Sequence, residues 1–150
     1  MRKLIAMSTT LENKIEKIQH VLDNLKAETA RGTPIIVEGK KDIETLKKLR
    51  INGEIITTKT HGKNLLDVIS EVGKKGKNEA ILLMDFDRRG REWTSRLIQS
   101  LEAMKIKPNL VFWKELSSLV RKDVKDIESL AAYIETLNKK LGKNISDDLQ

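Results

Sequence analysis

The chain has 150 residues, 39% hydrophobic and 34% charged, a balance that suits one domain with a core and a heavily charged surface. It has no cysteine, which excludes disulfides, thiolate metal sites and a cysteine nucleophile. No apolar run approaches membrane-spanning length, and residues 1–7 are too short for a secretory signal, so we expect a cytoplasmic protein.

The formal net charge is +7, from 29 basic and 22 acidic residues. Residues 114–150 contain seven residues of each sign, so the basic excess lies in residues 1–113. An excess of this kind favours a polyanionic partner, most simply nucleic acid. Solubility alone would explain the charge equally well.

The spacing of apolar residues and the turn signals predict alternating helices and strands. In chain order, we expect a helix over 10–30, a strand over 35–37, a helix from Asp42 to Leu49, a strand over 54–58 and a helix capped by Asn64. This first helix would cover one sheet face or extend the fold. If its apolar stripe is exposed, it would serve dimerisation or bind a partner protein.

The second half of the chain continues the alternation. We expect a loop over 73–79, a strand over 80–85, a helix over 90–104 and a break at 107–109. A strand over 110–112 and a short helix over 114–120 should follow. The last helix should begin near Val124 and end before Gly142, followed by a frayed polar tail over 143–150. This order predicts an α/β fold, with a parallel sheet covered on both faces.

Acidic residues follow two of the predicted strands directly. Asp85 and Asp87 come after an apolar run, and Glu38 follows the first strand. We expect the three to converge at the carboxyl edge of the sheet, where open α/β folds place their ligands. Carboxylates at such close range repel unless a cation neutralises them, and Mg²⁺ fits such a site. Alternatively, the aspartates only cap the next helix, and Glu38 pairs with Lys40 or Lys41.

Three segments together resemble the Toprim domain of topoisomerases, bacterial primases and several nucleases. They are Glu38-Gly39-Lys40-Lys41-Asp42, Thr60-His61-Gly62-Lys63-Asn64 and Asp85-Phe86-Asp87-Arg88-Arg89-Gly90. The chain is most similar to the small stand-alone Toprim proteins of archaea and to the Toprim half of the ribonuclease that matures 5S ribosomal RNA.

The resemblance implies a three-layer α/β/α, Rossmann-like fold with a four-stranded, mainly parallel sheet. Residues 34–128 would form the Toprim domain. Residues 1–33 would be an N-terminal helical extension, and residues 129–150 a C-terminal helix and polar tail within the same compact unit.

The resemblance also implies roles for the acidic residues. Glu38 would be a metal ligand and the catalytic general acid or base, and Asp85 and Asp87 would bind Mg²⁺, for which Mn²⁺ could substitute. Arg89 and Arg91 stand where topoisomerases carry further acids. One metal is therefore favoured over two, and these arginines are better suited to contact phosphate.

Basic residues that follow the strand ends are candidates for nucleic-acid binding through phosphate contacts. These residues are Lys40, Lys41, His61, Lys63, Arg88, Arg89 and Arg91. Each of them alone is as well explained as a solvated charge.

The leading hypothesis is a Mg²⁺-dependent nuclease that acts on RNA or DNA in RNA processing or DNA repair, as a monomer or homodimer. The alternative is a non-catalytic adaptor that binds nucleic acid beside a protein partner in a larger complex. A nucleotide-sugar transferase is a third hypothesis, but the chain leaves little room for its acceptor site. Tyr133, the one tyrosine, lies on an apolar helix face, which argues against a self-sufficient topoisomerase.

Overall fold

The described residues form six helices and four strands. This computed structural model describes residues 2–59 and 62–149, with side chains for residues 9–59 and 62–142. The helices are α1 (Arg2–Ala30), α2 (Lys40–Lys48), α3 (Leu65–Lys74), α4 (Arg88–Ala103), α5 (Val111–Val120) and α6 (Leu130–Leu149). The strands are β1 (Ile35–Val37), β2 (Ile55–Thr57), β3 (Glu79–Leu82) and β4 (Lys107–Asn109).

The four strands form one sheet in the order β2-β1-β3-β4, and every neighbouring pair is parallel. The chain leaves β1 toward β2 on one side and leaves β3 toward β4 on the other. The direction of winding therefore switches between β1 and β3, and such a switch opens a crevice beyond their carboxyl ends. This topology confirms the predicted α/β fold and locates the expected ligand site.

Helices cover both faces of the sheet, as predicted. Alternate strand residues point to opposite faces. Ile35 and Ile81 pack in a core with α1, α2, α5 and α6. Ile36 and Leu82 pack in a second core with α3 and α4. All four of these strand residues are fully buried, which explains why the sequence of both strands is continuously apolar. The helices on both faces confirm the three-layer α/β/α architecture.

The first helix is longer than predicted, since it begins at Arg2 rather than near residue 10. Its stripe of Ile18, Leu22 and Leu25 is almost completely buried. The helix packs against α5 and α6. Along its described side chains, the apolar stripe is therefore covered by the chain itself and serves the core rather than a partner.

The prediction for the fourth strand was wrong. The strand is Lys107–Asn109, where a break was expected, and residues 110–112 lead into α5. Pro108 is compatible with this position because β4 is an edge strand, where a missing backbone N–H need not break a ladder. Phe112, Leu116 and Val120 are buried at four-residue spacing, which is a helical period.

The last helix begins later and ends later than predicted. Val124 and Ile127 are buried, but they lie in the irregular segment before Leu130. The Asp126 carboxylate accepts a hydrogen bond from the Ser129 N–H (2.7 Å), which stabilises the turn before the helix. The tail that was expected to fray is helical through Leu149.

Two helices that follow strands begin earlier than predicted. α2 begins at Lys40, so Asp42 is its third residue rather than its cap. α4 begins at Arg88 and is capped by Asp87. The predicted cap of α3, Asn64, is confirmed, since its side chain accepts the Asp67 N–H. Among the described helices, none is both long and apolar enough to cross a membrane.

Candidate functional site

Glu38 and Asp85 meet in the crevice between β1 and β3. The backbone continues the sheet as far as the Leu83 N–H, which donates to the Ile36 carbonyl (2.9 Å). Two residues later, the Asp85 N–H donates instead to the Glu38 carboxylate, at 3.0 Å from Oε2. Glu38 thus ends the ladder with its side chain. The structure therefore brings together two of the three carboxylates that the sequence placed at this edge.

The Glu38 carboxylate is buried, with 4% of the residue exposed, and it pairs with a lysine whose side chain is partly exposed. Lys59 Nζ lies 3.0 Å from its Oε1. Burial alone would raise the pKa of Glu38, but hydrogen bonds with Asp85 and the ion pair with Lys59 outweigh burial and lower that pKa. Glu38 is therefore held in its charged form.

The Asp85 carboxyl is in the opposite electrostatic situation. Burial and the neighbouring Glu38 carboxylate raise the pKa of Asp85 to about 8. Its Oδ1 accepts the Ile127 N–H at 3.2 Å, which orients the group but does not neutralise it. The two carboxyls therefore share one proton at neutral pH. A cation placed between them would replace that proton.

Gly90 fixes the distance between helix α4 and the end of β3. A Cβ atom at this position would lie 1.9 Å from the Asp85 carbonyl oxygen and 2.6 Å from its carbonyl carbon. Only glycine permits this approach. At Gly39, in contrast, the backbone is extended (φ −147°) and a Cβ would meet nothing within 4 Å, so glycine is not required there.

Asp87 is separate from the Glu38–Asp85 pair. It is exposed, and its Oδ1 accepts the Gly90 N–H at 2.7 Å, which caps α4. In the described part of the chain, no three acidic or histidine side chains are grouped closely enough to hold a metal ion. The structure thus shows Asp87 as a helix cap, the alternative that the sequence had left open, and does not join it to Glu38 and Asp85.

Two further site residues were not among the predicted ones. Lys59 follows β2 as Glu38 follows β1, so strand-end position was the signal that could have identified it. Asp42 is 6% exposed and accepts the Gly39 N–H at 3.0 Å. Burial, with the charges of Glu38 and Glu128, raises the pKa of Asp42. The sequence signal that could have identified Asp42 is its position four residues after Glu38, in the first turn of the following helix.

The predicted phosphate-binding cations from the first half of the chain differ in how strongly they are held. Lys40 is exposed in the first turn of α2. Lys41 lies 3.6 Å from a Glu128 carboxylate oxygen. Lys63 is mostly buried, and its ammonium donates a hydrogen bond to the Thr57 carbonyl and pairs with the Glu71 carboxylate. His61 lies outside the described residues.

The three arginines stand at the start of α4. Arg88 pairs along the helix with Glu92 at 3.2 Å, and Arg89 is exposed. Arg91 Nη1 donates to the Phe86 carbonyl at 3.1 Å, so its guanidinium is anchored beside Asp85. Arg91 is therefore the most firmly placed of the arginines.

Comparison with known proteins identifies a family that the chain resembles. Residues 33–117 match the Toprim domain family. A UPF0292 protein of Methanosarcina barkeri is 34% identical over 137 residues, which cover 91% of this chain and 94% of that protein. A UPF0292 protein of Methanocaldococcus jannaschii is 40% identical over 127 residues, which cover 84% of this chain and 94% of that protein.

A solved structure has the same fold. A putative protein from Aquifex aeolicus superimposes with a TM-score of 0.62 at 26% sequence identity. The match covers 74% of this chain and 95% of that one.

Proposed function

The chain belongs to the Toprim domain family, and from this premise we propose that it is a Mg²⁺-dependent nuclease acting on nucleic-acid phosphodiesters. Toprim domains are in general metal-binding and act on nucleic acids. The predicted likeness to small archaeal Toprim proteins is confirmed by the UPF0292 relatives. The observation that carries the proposal is the contact of buried Glu38 with half-buried Asp85 at the switch point of the sheet.

The donor set of this pair fits Mg²⁺. The raised pKa of Asp85, caused by its burial and by Glu38, means that the pair accommodates only one negative charge without a further cation. Mg²⁺ binds through one or two carboxylates and keeps several water ligands. Glu38 and Asp85 would hold the ion, and Asp87 is the third candidate ligand. Bound there, Mg²⁺ would polarise a phosphodiester and lower the pKa of a water molecule.

The side chains around the pair have separate roles in this proposal. Glu38 acts as general base, because Asp85 and Lys59 bind its two oxygens and hold it in the charged form. Lys59 limits the negative charge of the site before substrate arrives. Arg91 and its neighbours on α4 contact substrate phosphates, which position a strand without reading its sequence.

The substitution Glu38→Gln tests the proposal directly. Cleavage of labelled RNA and DNA panels in Mg²⁺ or Mn²⁺ should fall by about 100-fold or more, because a general acid–base group is lost. Binding of the same oligonucleotides in EDTA should be largely retained. Glu44→Gln is the matched control, since Glu44 is an exposed acid on α2. Cleavage that persists both in the Glu38→Gln variant and in EDTA would contradict the proposed metal-dependent nuclease.

A second candidate function is a nucleic-acid-binding adaptor without catalysis. It is favoured by the position of Asp87, which caps α4 and leaves two grouped carboxylates rather than three among the described residues. An adaptor would bind the panels with ordinary salt dependence and cleave none of them in either metal. The same experiment therefore separates the two functions.

A further inference from the structure

A second basic surface lies beside the Glu38–Asp85 pair, between the start of α4 and the outer face of α5. It is a groove of about 390 Å³, which we call the α4–α5 groove. Its wall includes Arg91, Trp113, Lys114, Ser117, Arg121 and Lys122. Four of these residues are cations, and no carboxylate lines the groove. Of the four, only Arg91 was a predicted site residue.

The groove is attached to the same backbone segment that carries Asp85. Trp113 Nε1 donates to the Met84 carbonyl at 2.8 Å, and Arg91 Nη1 donates to the Phe86 carbonyl at 3.1 Å. These two carbonyls flank Asp85 in the chain. Trp113 and Arg91 are therefore fixed to the backbone on either side of Asp85.

The cations of the groove are not neutralised within the described chain. Lys114, Arg121 and Lys122 are exposed, and neither they nor Arg91 pair with a described carboxylate. Two acids adjoin these cations in sequence, Glu115 after Lys114 and Asp123 after Lys122. Asp123 accepts hydrogen bonds from Tyr133 (2.8 Å) and Lys14 (3.5 Å) rather than from a cation of the groove. Glu115 lines a different depression, together with Lys17 and His20. Like charges gathered around one concave surface attract a polyanion.

We propose that the α4–α5 groove binds the sugar–phosphate backbone of the substrate strand, next to the phosphodiester held at Glu38 and Asp85. This inference rests on the proposed function and adds the path of the strand across the protein. The groove offers ammonium and guanidinium groups around a rigid indole, which suits phosphate contacts without base readout. Binding here would therefore depend on salt and little on sequence.

The test compares two triple variants that lose the same charge. The groove variant combines Lys114→Gln, Arg121→Gln and Lys122→Gln. The control combines Lys74→Gln, Lys77→Gln and Lys105→Gln, three exposed lysines at the amino end of the sheet. Affinity for fluorescein-labelled single-stranded RNA and DNA is measured by anisotropy in EDTA over a range of salt concentrations.

We expect the groove variant to bind about tenfold more weakly near 0.1 M salt, with the slope of log affinity against log salt reduced by about 2, for three lost contacts to a single strand. The control should bind like the wild type. Mn²⁺ binding, measured by calorimetry, should be unchanged in both variants, because neither removes a carboxylate.

The outcomes separate the groove from the proposed function. If both triple variants lose the same affinity, or if the groove variant loses none, the proposed binding of a strand in the groove is overturned. Cleavage by the wild type in Mg²⁺ would still support the proposed nuclease. A groove-specific loss in a wild type that binds but never cleaves supports the groove and overturns the nuclease. A wild type that binds no oligonucleotide overturns both.

Discussion

The two ends of the parallel sheet both carry many lysines, but their acidic residues differ in exposure and in hydrogen-bond partners. At the amino end, Glu54 pairs with Lys75 on the surface (2.9 Å), and Glu79, at the start of β3, is only half-buried and binds Asn109. At the carboxyl end, Glu38 is buried and Asp85 is held against it. Exposed cations therefore do not distinguish the two ends, whereas a buried carboxylate that interacts with a second carboxyl does.

The largest expected effect comes from the close backbone approach at the carboxyl end. Gly90→Ala should destabilise the protein by about 3 kcal/mol or more, because the new methyl group would overlap the Asp85 backbone and force α4 outward. The displaced Asp85 should also lose Mn²⁺ affinity. Urea unfolding and calorimetric Mn²⁺ titration measure the two effects.

Gly73→Ala is the matched change toward the amino end. Gly73 lies in α3, and a Cβ there would meet nothing within 4 Å, so alanine should raise stability by about 0.5–1 kcal/mol through its better helix propensity. Equal effects at the two glycines would contradict the close approach of α4 to the site.

The next effect is a pH dependence that belongs to Asp85. In metal-free protein the pKa of Asp85 is raised, by burial and by Glu38, from 3.8 to about 8. The folded state therefore holds a proton that the unfolded chain has released. This contribution to stability is complete below pH 3.8 and is lost as the pH rises toward 8.

Asp85→Asn should remove this dependence. Asparagine mimics the protonated acid, and its Oδ1 can still accept the Ile127 N–H. In EDTA at pH 8, the variant should be more stable than the wild type by about 1–3 kcal/mol, allowing for partial solvent screening, and by about a third of that at pH 5. The lowered pKa of Glu38 acts in the opposite sense, but below pH 4.5, outside this window.

Glu54→Gln is the control from the amino end, and its stability should differ little from the wild type at both pH values, because Glu54 is exposed. An Asp85→Asn variant whose advantage is the same at pH 5 and pH 8 would contradict the shared proton. The variant should also lose Mn²⁺ binding at both pH values.

The fold and the acidic pair could be predicted because both follow from local rules. A β-branched run identified β1, and an apolar run over 80–84 identified β3. Parallel strands must bring the residues after them, Glu38 and Asp85, to one edge. β4 was missed because an edge strand of three residues needs no apolar run. Its half-exposed Lys107–Asn109 carries less signal than the apolar start of α5 that follows it.

The groove was missed for a different reason. Residues 114–150 are neutral as a block, which hides how the fold distributes their charges. Lys114, Arg121 and Lys122 lie on the groove, whereas Asp123 turns toward α1 to meet Lys14. Charge counted along the chain cannot show which charges share a surface, because that depends on how α1 and α5 pack.

The smallest expected effect concerns Asp87, the acid whose role the sequence left open. Asp87→Ala should cost about 1 kcal/mol, because the Gly90 N–H loses its capping acceptor. Asp87→Asn should cost almost nothing, since asparagine caps a helix about as well as aspartate does. Urea unfolding of the two variants measures the value of the cap alone.

Mn²⁺ titration of Asp87→Asn then tests the metal role without disturbing the helix. If Asp87 also serves the ion, affinity should fall by about tenfold, the low end of what groups around a metal site contribute, and by less than in Asp85→Asn. An unchanged affinity would restrict Asp87 to capping and leave the metal with two carboxylates. Because the cap is preserved in this variant, a lost affinity could not be attributed to a shifted α4.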